Sequence, residues 1–183
     1  MLSCILFNNA DEFLKQYKYS EAARIFEAEA ESANNTSQKI SLYKKASLAY
    51  HELGSYNEEA RCLILVSSLL DGEEKIDVLV SCWKVYIMAI AVFQYDTGFE
   101  WKGEIENIHE SYSETIQDYY FKAVKVLEIA LKVKNVDKGR LLDNLSAECA
   151  KRRSEGGWAA SECVSSIDEA FSVLDKSAVE SGS

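Results

Sequence analysis

Proline is missing altogether from these 183 residues, and glycine occurs only eight times. Few windows alternate apolar and polar residues with period two, so the chain has neither the turns nor the pattern of a sheet protein. An all-helical reading follows. Only two histidines are present, with no serine or cysteine in a nucleophile-elbow setting, which leaves triad chemistry nothing to stand on. The five cysteines, Cys4, Cys62, Cys82, Cys149 and Cys163, are odd in number and show no C-x-x-C spacing. That argues against a disulfide framework and against a structural zinc site. All five are expected as free, small apolar side chains in a reducing, cytoplasmic setting. The opening MLSCILFNN has no basic n-region and too short an apolar run for a signal peptide. The longest apolar run, Val78 to Phe93, falls short of the ~20 residues a membrane-spanning helix needs, and Lys84 sits near its middle. A central helix buried all round is expected there, not an integral membrane segment.

What is abundant is acid. Thirty Asp and Glu against twenty Lys and Arg give a formal charge of -10 and a pI near 4.8. A nucleic-acid backbone is thereby excluded as a natural partner. The acid either forms a solvated face or lines a groove that selects a basic peptide. At 48% hydrophobic content the chain has enough apolar material to bury a sizeable core.

Apolar residues recur at spacings of three and four along most of the chain. A first helix is expected from about Leu2 to Tyr17, and a second is capped by Ser20, with Ala22, Ala23, Phe26 and Ala30 inward and Glu27, Glu29 and Glu31 outward. Ser37 is the expected cap of a third helix, whose face runs Leu42, Ala46, Ala49, Tyr50 and Leu53. Gly54 ends it in the left-handed position that glycine fills cheaply. A fourth helix buries Ala60, Leu63, Ile64, Ser67 and Leu70, and a fifth runs from Glu74 to about Tyr95. From Trp101 the register continues for about 30 residues, as one long helix or as one that restarts at the Ser111-x-x-Glu114 capping box. The single helix fits better, since the register does not slip at Ser111. Lys138 to Arg153 and Trp158 to Leu174 complete the set, with Lys151, Arg152 and Arg153 complementing a helix dipole. Residues 177–183 are small and polar and are expected to be a disordered tail.

The first two helix pairs carry a family resemblance. Ala10, Phe13, Tyr19, Ala22 and Phe26 reproduce the order of small and aromatic residues in a tetratricopeptide repeat (TPR). Tyr43, Ala46, Tyr50, Gly54, Tyr56 and Ala60 repeat it loosely, 37 residues on from Tyr19 to Tyr56. The second turn reads as one residue longer, Tyr-Asn-Glu-Glu-Ala against Tyr-Ser-Glu-Ala, and no proline closes either unit. Irregular, alanine-rich pairs of this kind resemble the soluble NSF attachment proteins, the alpha-SNAP-like branch, most of all in SEAARIFEAEAE. The resemblance spans about residues 5 to 70. It implies antiparallel helix pairs stacked as a right-handed TPR-like superhelix, seven or eight helices within one domain over 1–176, with the clearest repeats at 3–35 and 37–70. It also implies a scaffold or adaptor that binds a peptide or partner protein through its groove, without catalysis. The groove positions would be Asn9, Glu12 and Gln16 on the first helix and Lys44, Lys45, Ser47 and His51 on the third.

No cofactor is expected. Glu106 and His109 stand in Glu-x-x-His spacing, but a di-iron bundle needs a second such pair and the chain has none, so a solvated face with Glu110 and Glu114 explains them better than a metal site. A homodimer would cover the exposed ends of a short stack. The rival reading is a helical-bundle enzyme or small-ligand binder with an apolar pocket near Trp83, Tyr86, Tyr119 and Tyr120.

Overall fold

In the computed structural model the described residues are 10–97, 109–154 and 159–180, with backbone alone for 96–97, 109–113 and 173–180. They form helices and connections, with no strand among the described residues. Among the described residues there are eight helices: α1 (residues 10–15), α2 (Tyr19–Ser32), α3 (Thr36–Glu52), α4 (Tyr56–Ser68), α5 (Gly72–Thr97), α6 (His109–Leu131), α7 (Lys138–Ser154) and α8 (Ala160–Glu180). Their contacts divide the chain into two compact units, Met1–Val78 and Leu79–Ser183, with the division inside α5.

In the first unit, α2 packs along α3 and α3 along α4. Small residues allow the close approach: Ala22, Ala23, Ala30, Ala46, Ala49 and Ala60 are fully buried. Phe26, Leu42, Tyr43 and Tyr50 fill the space between them. The turn after α1 and the turn after α3 are the same structure. Tyr17 and Gly54 are left-handed, with φ of 60° and 65°. Lys18 N–H donates to the Phe13 carbonyl and Tyr17 N–H to that of Leu14, as Ser55 N–H does to Tyr50 and Gly54 N–H to His51. This is the Schellman arrangement, which satisfies carbonyls the helix end would otherwise orphan. Both following helices begin two residues later, at Tyr19 and Tyr56. The two turns are therefore equal in length and the second holds no extra residue. Ala23 and Ala60 are equivalent, and Glu59 takes the place of Ala22.

Two caps differ from expectation. No side chain caps α2, which starts at Tyr19 and leaves Ser20 inside its first turn. The cap of α3 is Asn35, whose Oδ1 accepts from Ser37 N–H (2.8 Å) and Gln38 N–H (3.3 Å). An asparagine two residues upstream reaches both free amides, which draws Ser37 into the helix. Glu29 is buried at 8% exposure where an outward position was expected, whereas Ile64 (38%) and Leu53 (43%) face outward where the apolar stripe had placed them inward.

In the second unit, α6 and α7 both pack on α8. The part of α5 beyond Leu79 supplies the largest buried side chain, Trp83, together with Leu79, Tyr86, Ile87 and Ile90. By length and composition α5 could cross a membrane, and 56% of its apolar window is buried inside the protein. It is not buried all round: Ser81, Met88 and Tyr95 mark an exposed strip at helical spacing. α6 runs through Ser111 without a break, so no helix restarts there. Whether it reaches back to Trp101 lies outside the described residues. Helix α8 continues to Glu180, taking in the first part of the 177–183 segment expected to be a disordered tail.

The cysteine reading is corrected. Cys149 on α7 and Cys163 on α8 are joined in a disulfide, with Cα atoms 5.7 Å apart, while Cys62 and Cys82 are buried thiols outside any disulfide. Two helices packed side by side bring together residues that their sequence spacing does not pair.

Candidate functional site

The groove residues named from the sequence sit on α1 and α3, and the structure treats them unequally. Asn9 lies outside the described residues. Glu12 and Gln16 are exposed near the end of α1, and Lys44 is exposed on α3. Lys45 Nζ forms an ion pair with Asp11 Oδ1 at 3.0 Å and lies over the Phe26 ring, 5.0 Å from its centre. His51 Nδ1 meets Glu59 at 3.1 Å, and Ser47 is buried. Lys45 and His51 therefore hold the first unit together, whereas Lys44, Glu12 and Gln16 face solvent. The sequence reading missed Leu48, 66% exposed one turn beyond Lys44. Its signal was there: Leu48 falls off the stripe through Leu42, Ala46, Ala49 and Tyr50.

Behind this face runs a chain of carboxylates. Glu27 on α2 accepts from the Tyr50 hydroxyl on α3 (3.3 Å), from the Cys62 thiol on α4 (3.0 Å) and from Arg61. One side chain thus ties three helices. Burial, then the hydrogen bond to Glu27, pushes the Cys62 thiol far up, so it is no nucleophile at neutral pH. Burial also raises the Glu59 carboxyl, with His51 opposing. Glu29 is the outlier. Its Oε1 is buried with no hydrogen-bond partner, and desolvation lifts its carboxyl above the ordinary value of 4.5 despite the nearby Lys45 charge.

The second unit has a different centre. Trp83 Nε1 donates to Ser166 Oγ at 3.0 Å, and Ser166 Oγ in turn donates to the Cys163 carbonyl at 2.9 Å. Tyr119 packs against Tyr86 and Phe93, with ring centres 6.1 and 5.8 Å away. Trp83 is 0% exposed and Tyr119 6%, so side chains fill the place where a pocket was considered. Tyr120, the fourth aromatic named for that pocket, does line a cavity. A groove of about 500 Å³ runs between α6 and α8, walled by Ile116, Tyr120 and Phe121 and edged by Gln117, Ser161, Glu162 and Ser165. Tyr120 donates to Glu169 Oε2 at 2.8 Å. Glu148 on α7 is clamped by Lys84 (3.0 Å) and Arg152 (3.1 Å). Burial alone would raise its carboxyl, but the Lys84 hydrogen bond and charge, with Arg152, hold it below 4.5.

No cluster of three or more metal-ligating side chains forms among the described residues. Glu106 lies outside them, as does the side chain of His109. No protein-family model matches this chain, and neither does any curated protein or solved structure.

Proposed function

We propose that this chain is a protein-interaction scaffold, an adaptor that recognises a peptide or partner protein on the α1–α3 side of its first unit. On this reading the helix pairs are TPR-like repeats of the irregular, soluble NSF attachment protein-like kind, stacked as a right-handed superhelix. The observation that carries it is the repeated hairpin: identical left-handed turns at Tyr17 and Gly54, 37 residues apart, each followed by a helix that buries an alanine at the same position. A leucine with two thirds of its surface in water, flanked by Lys44 and His51, gives such a surface an apolar anchor with a polar rim. The small-ligand reading draws instead on the groove beside Tyr120, since Trp83 and Tyr119 are packed. A homodimer, covering the ends of the stack, is part of the proposal and fails if sedimentation at low micromolar concentration returns only monomer.

Affinity purification from the native source tests the main claim, comparing the parent chain with a Lys44→Glu/Leu48→Glu variant of matching helicity. The reading predicts a protein held by the parent and lost from the variant. Recovery of the same proteins by both, or of none by either, counts against it.

A further inference from the structure

We propose that the groove between α6 and α8 docks a basic helical peptide, with one lysine or arginine side chain lying on the Tyr120 and Phe121 rings against Glu162 and a second reaching Glu169 beyond the Tyr120 hydroxyl. This rests on the reading of the chain as an interaction protein, but concerns a surface in the second unit and not the α3 stripe.

Three observations converge. The first is the wall. Phe121 is 61% exposed and stands edge-on to Tyr120 with ring centres 6.0 Å apart. An aromatic pair left in water beside a groove is a natural platform for a cation and its alkyl stem.

The second is charge. Glu162 accepts from Gln94 Nε2 (2.6 Å) and from Ser161 Oγ (2.7 Å), and Glu169 accepts from the Tyr120 hydroxyl (2.8 Å). All three donors are neutral, so none of these contacts brings a positive charge to either carboxylate. Elsewhere in the same unit Asp118, Glu128 and Glu148 each hold a lysine or arginine. Burial pushes the Tyr120 phenol up, and Glu169, Asp168 and Glu162 push it further, so three negative groups bear on one hydroxyl. A ligand that brings positive charge relieves that crowding.

The third is preorganisation. Gln94 is 4% exposed, and its Oε1 also accepts from the Ala159 N–H at 2.7 Å. With both ends of its amide engaged, Gln94 fixes the orientation of Glu162 before any ligand arrives, which lowers the entropy lost on binding. Glu162 and Glu169 lie two turns apart on one face of α8, about 10 Å along its axis. That separation suits cations placed two turns, seven residues, apart on a docked helix, and about 500 Å³ leaves room for an alkyl stem.

Fluorescence anisotropy on the intact 183-residue chain tests this with a labelled 15-residue peptide of Lys, Leu and Ala carrying lysines seven residues apart. The expected result is saturable binding that Phe121→Ala and Glu162→Gln each weaken about tenfold, and no binding of a twin peptide with Glu in place of Lys. A Glu73→Gln/Glu74→Gln variant, which removes the same sign of charge from the first unit, should change affinity less than about twofold. Leu48→Glu should leave it unchanged, separating this site from the α3 surface. Equal loss in the Glu73/Glu74 variant would reduce the effect to net charge and overturn the proposal. So would the absence of saturation, displacement by n-butylammonium at the peptide's own concentration, or a dimer in peptide-free solution that Phe121→Ala dissolves.

Discussion

The two units spend their buried polar groups differently. In the first, acidic side chains are gathered inside a nearly regular pair of hairpins: Glu27 serves three donors, Glu59 meets a histidine, and Glu29 is left without a partner for Oε1. In the second, no repeated hairpin is seen among the described residues, and the polar anchors are closed: Trp83 has Ser166, Glu148 has two cations, and a disulfide ties α7 to α8. Regular geometry tolerates a misfit charge because the alanine-lined helix contacts carry the fold. A unit without that repeat lacks the redundancy and relies on a few strong, specific links. Single changes should therefore cost most in the second unit, and one change in the first should stabilise.

The largest expected effect is Trp83→Ala, at about 4 kcal/mol, since it empties a fully buried indole and strips Ser166 of its donor. Urea unfolding of the variant would read it, and a loss under about 2 kcal/mol would mean that the indole does not organise the unit. Next comes reduction of the Cys149–Cys163 bond. With the cysteines 14 positions apart in the sequence, opening the link should lower stability by about 3 kcal/mol in thermal or denaturant melts with and without dithiothreitol. An unchanged midpoint would show that the packing of α7 on α8 suffices without the cross-link.

Glu29 and Glu148 should respond to pH with opposite sign. Glu29 titrates above 4.5 in the folded chain, so the native state binds its proton more tightly than the unfolded state. Its contribution is fully present below 4.5 and is lost as pH rises through the raised value. Glu148 titrates below 4.5, so its contribution is present above that value and is lost as pH falls through the lowered one. Glu29→Met should raise stability by about 1 kcal/mol at pH 7, by replacing an unsatisfied buried acceptor with an apolar stem. It should also flatten the decline on the alkaline side of 4.5, whereas Glu148→Gln flattens only the acid limb. Matching pH profiles for the two variants would erase the contrast between the units.

Much of the helical order was legible in the sequence, because a 3.6-residue period survives whatever packs against it. The Leu42–Tyr50 stripe, the Gly54 stop and the buried core of α5 all follow from periodicity and turn chemistry. The misses share one cause: they depend on a second element. A carboxylate at the edge of an apolar stripe, such as Glu27 or Glu29, is drawn inward only because α3 and α4 offer donors or cover it. Leu48 is outward because α3 has its neighbours on the other side. Cys149 and Cys163 pair because α7 and α8 lie side by side. Tyr120 was named for a pocket together with Tyr119, but a 100° step along α6 packs Tyr119 into the core and leaves Tyr120 half-open on the groove.

The smallest expected effect tests whether the two hairpin turns are energetically, as well as geometrically, the same. Gly54 and Tyr17 occupy the same left-handed position, yet only one is the residue that tolerates it without strain. Gly54→Ala meets no neighbouring atom within 4 Å, so its cost is backbone strain alone, about 1 kcal/mol. Tyr17→Gly should recover a similar amount of strain. It also gives up the edge-on ring contact with Tyr19 at 6.1 Å, worth about 0.5 kcal/mol for a side chain that is 79% exposed. The extra freedom of glycine in the unfolded chain removes part of the rest. The net change for Tyr17→Gly should therefore stay within about 0.5 kcal/mol of zero, against a clear loss for Gly54→Ala, when both are melted side by side. A loss of 1 kcal/mol or more on placing glycine at 17 would mean that the tyrosine ring, and not the Schellman hydrogen bonds, holds the first turn.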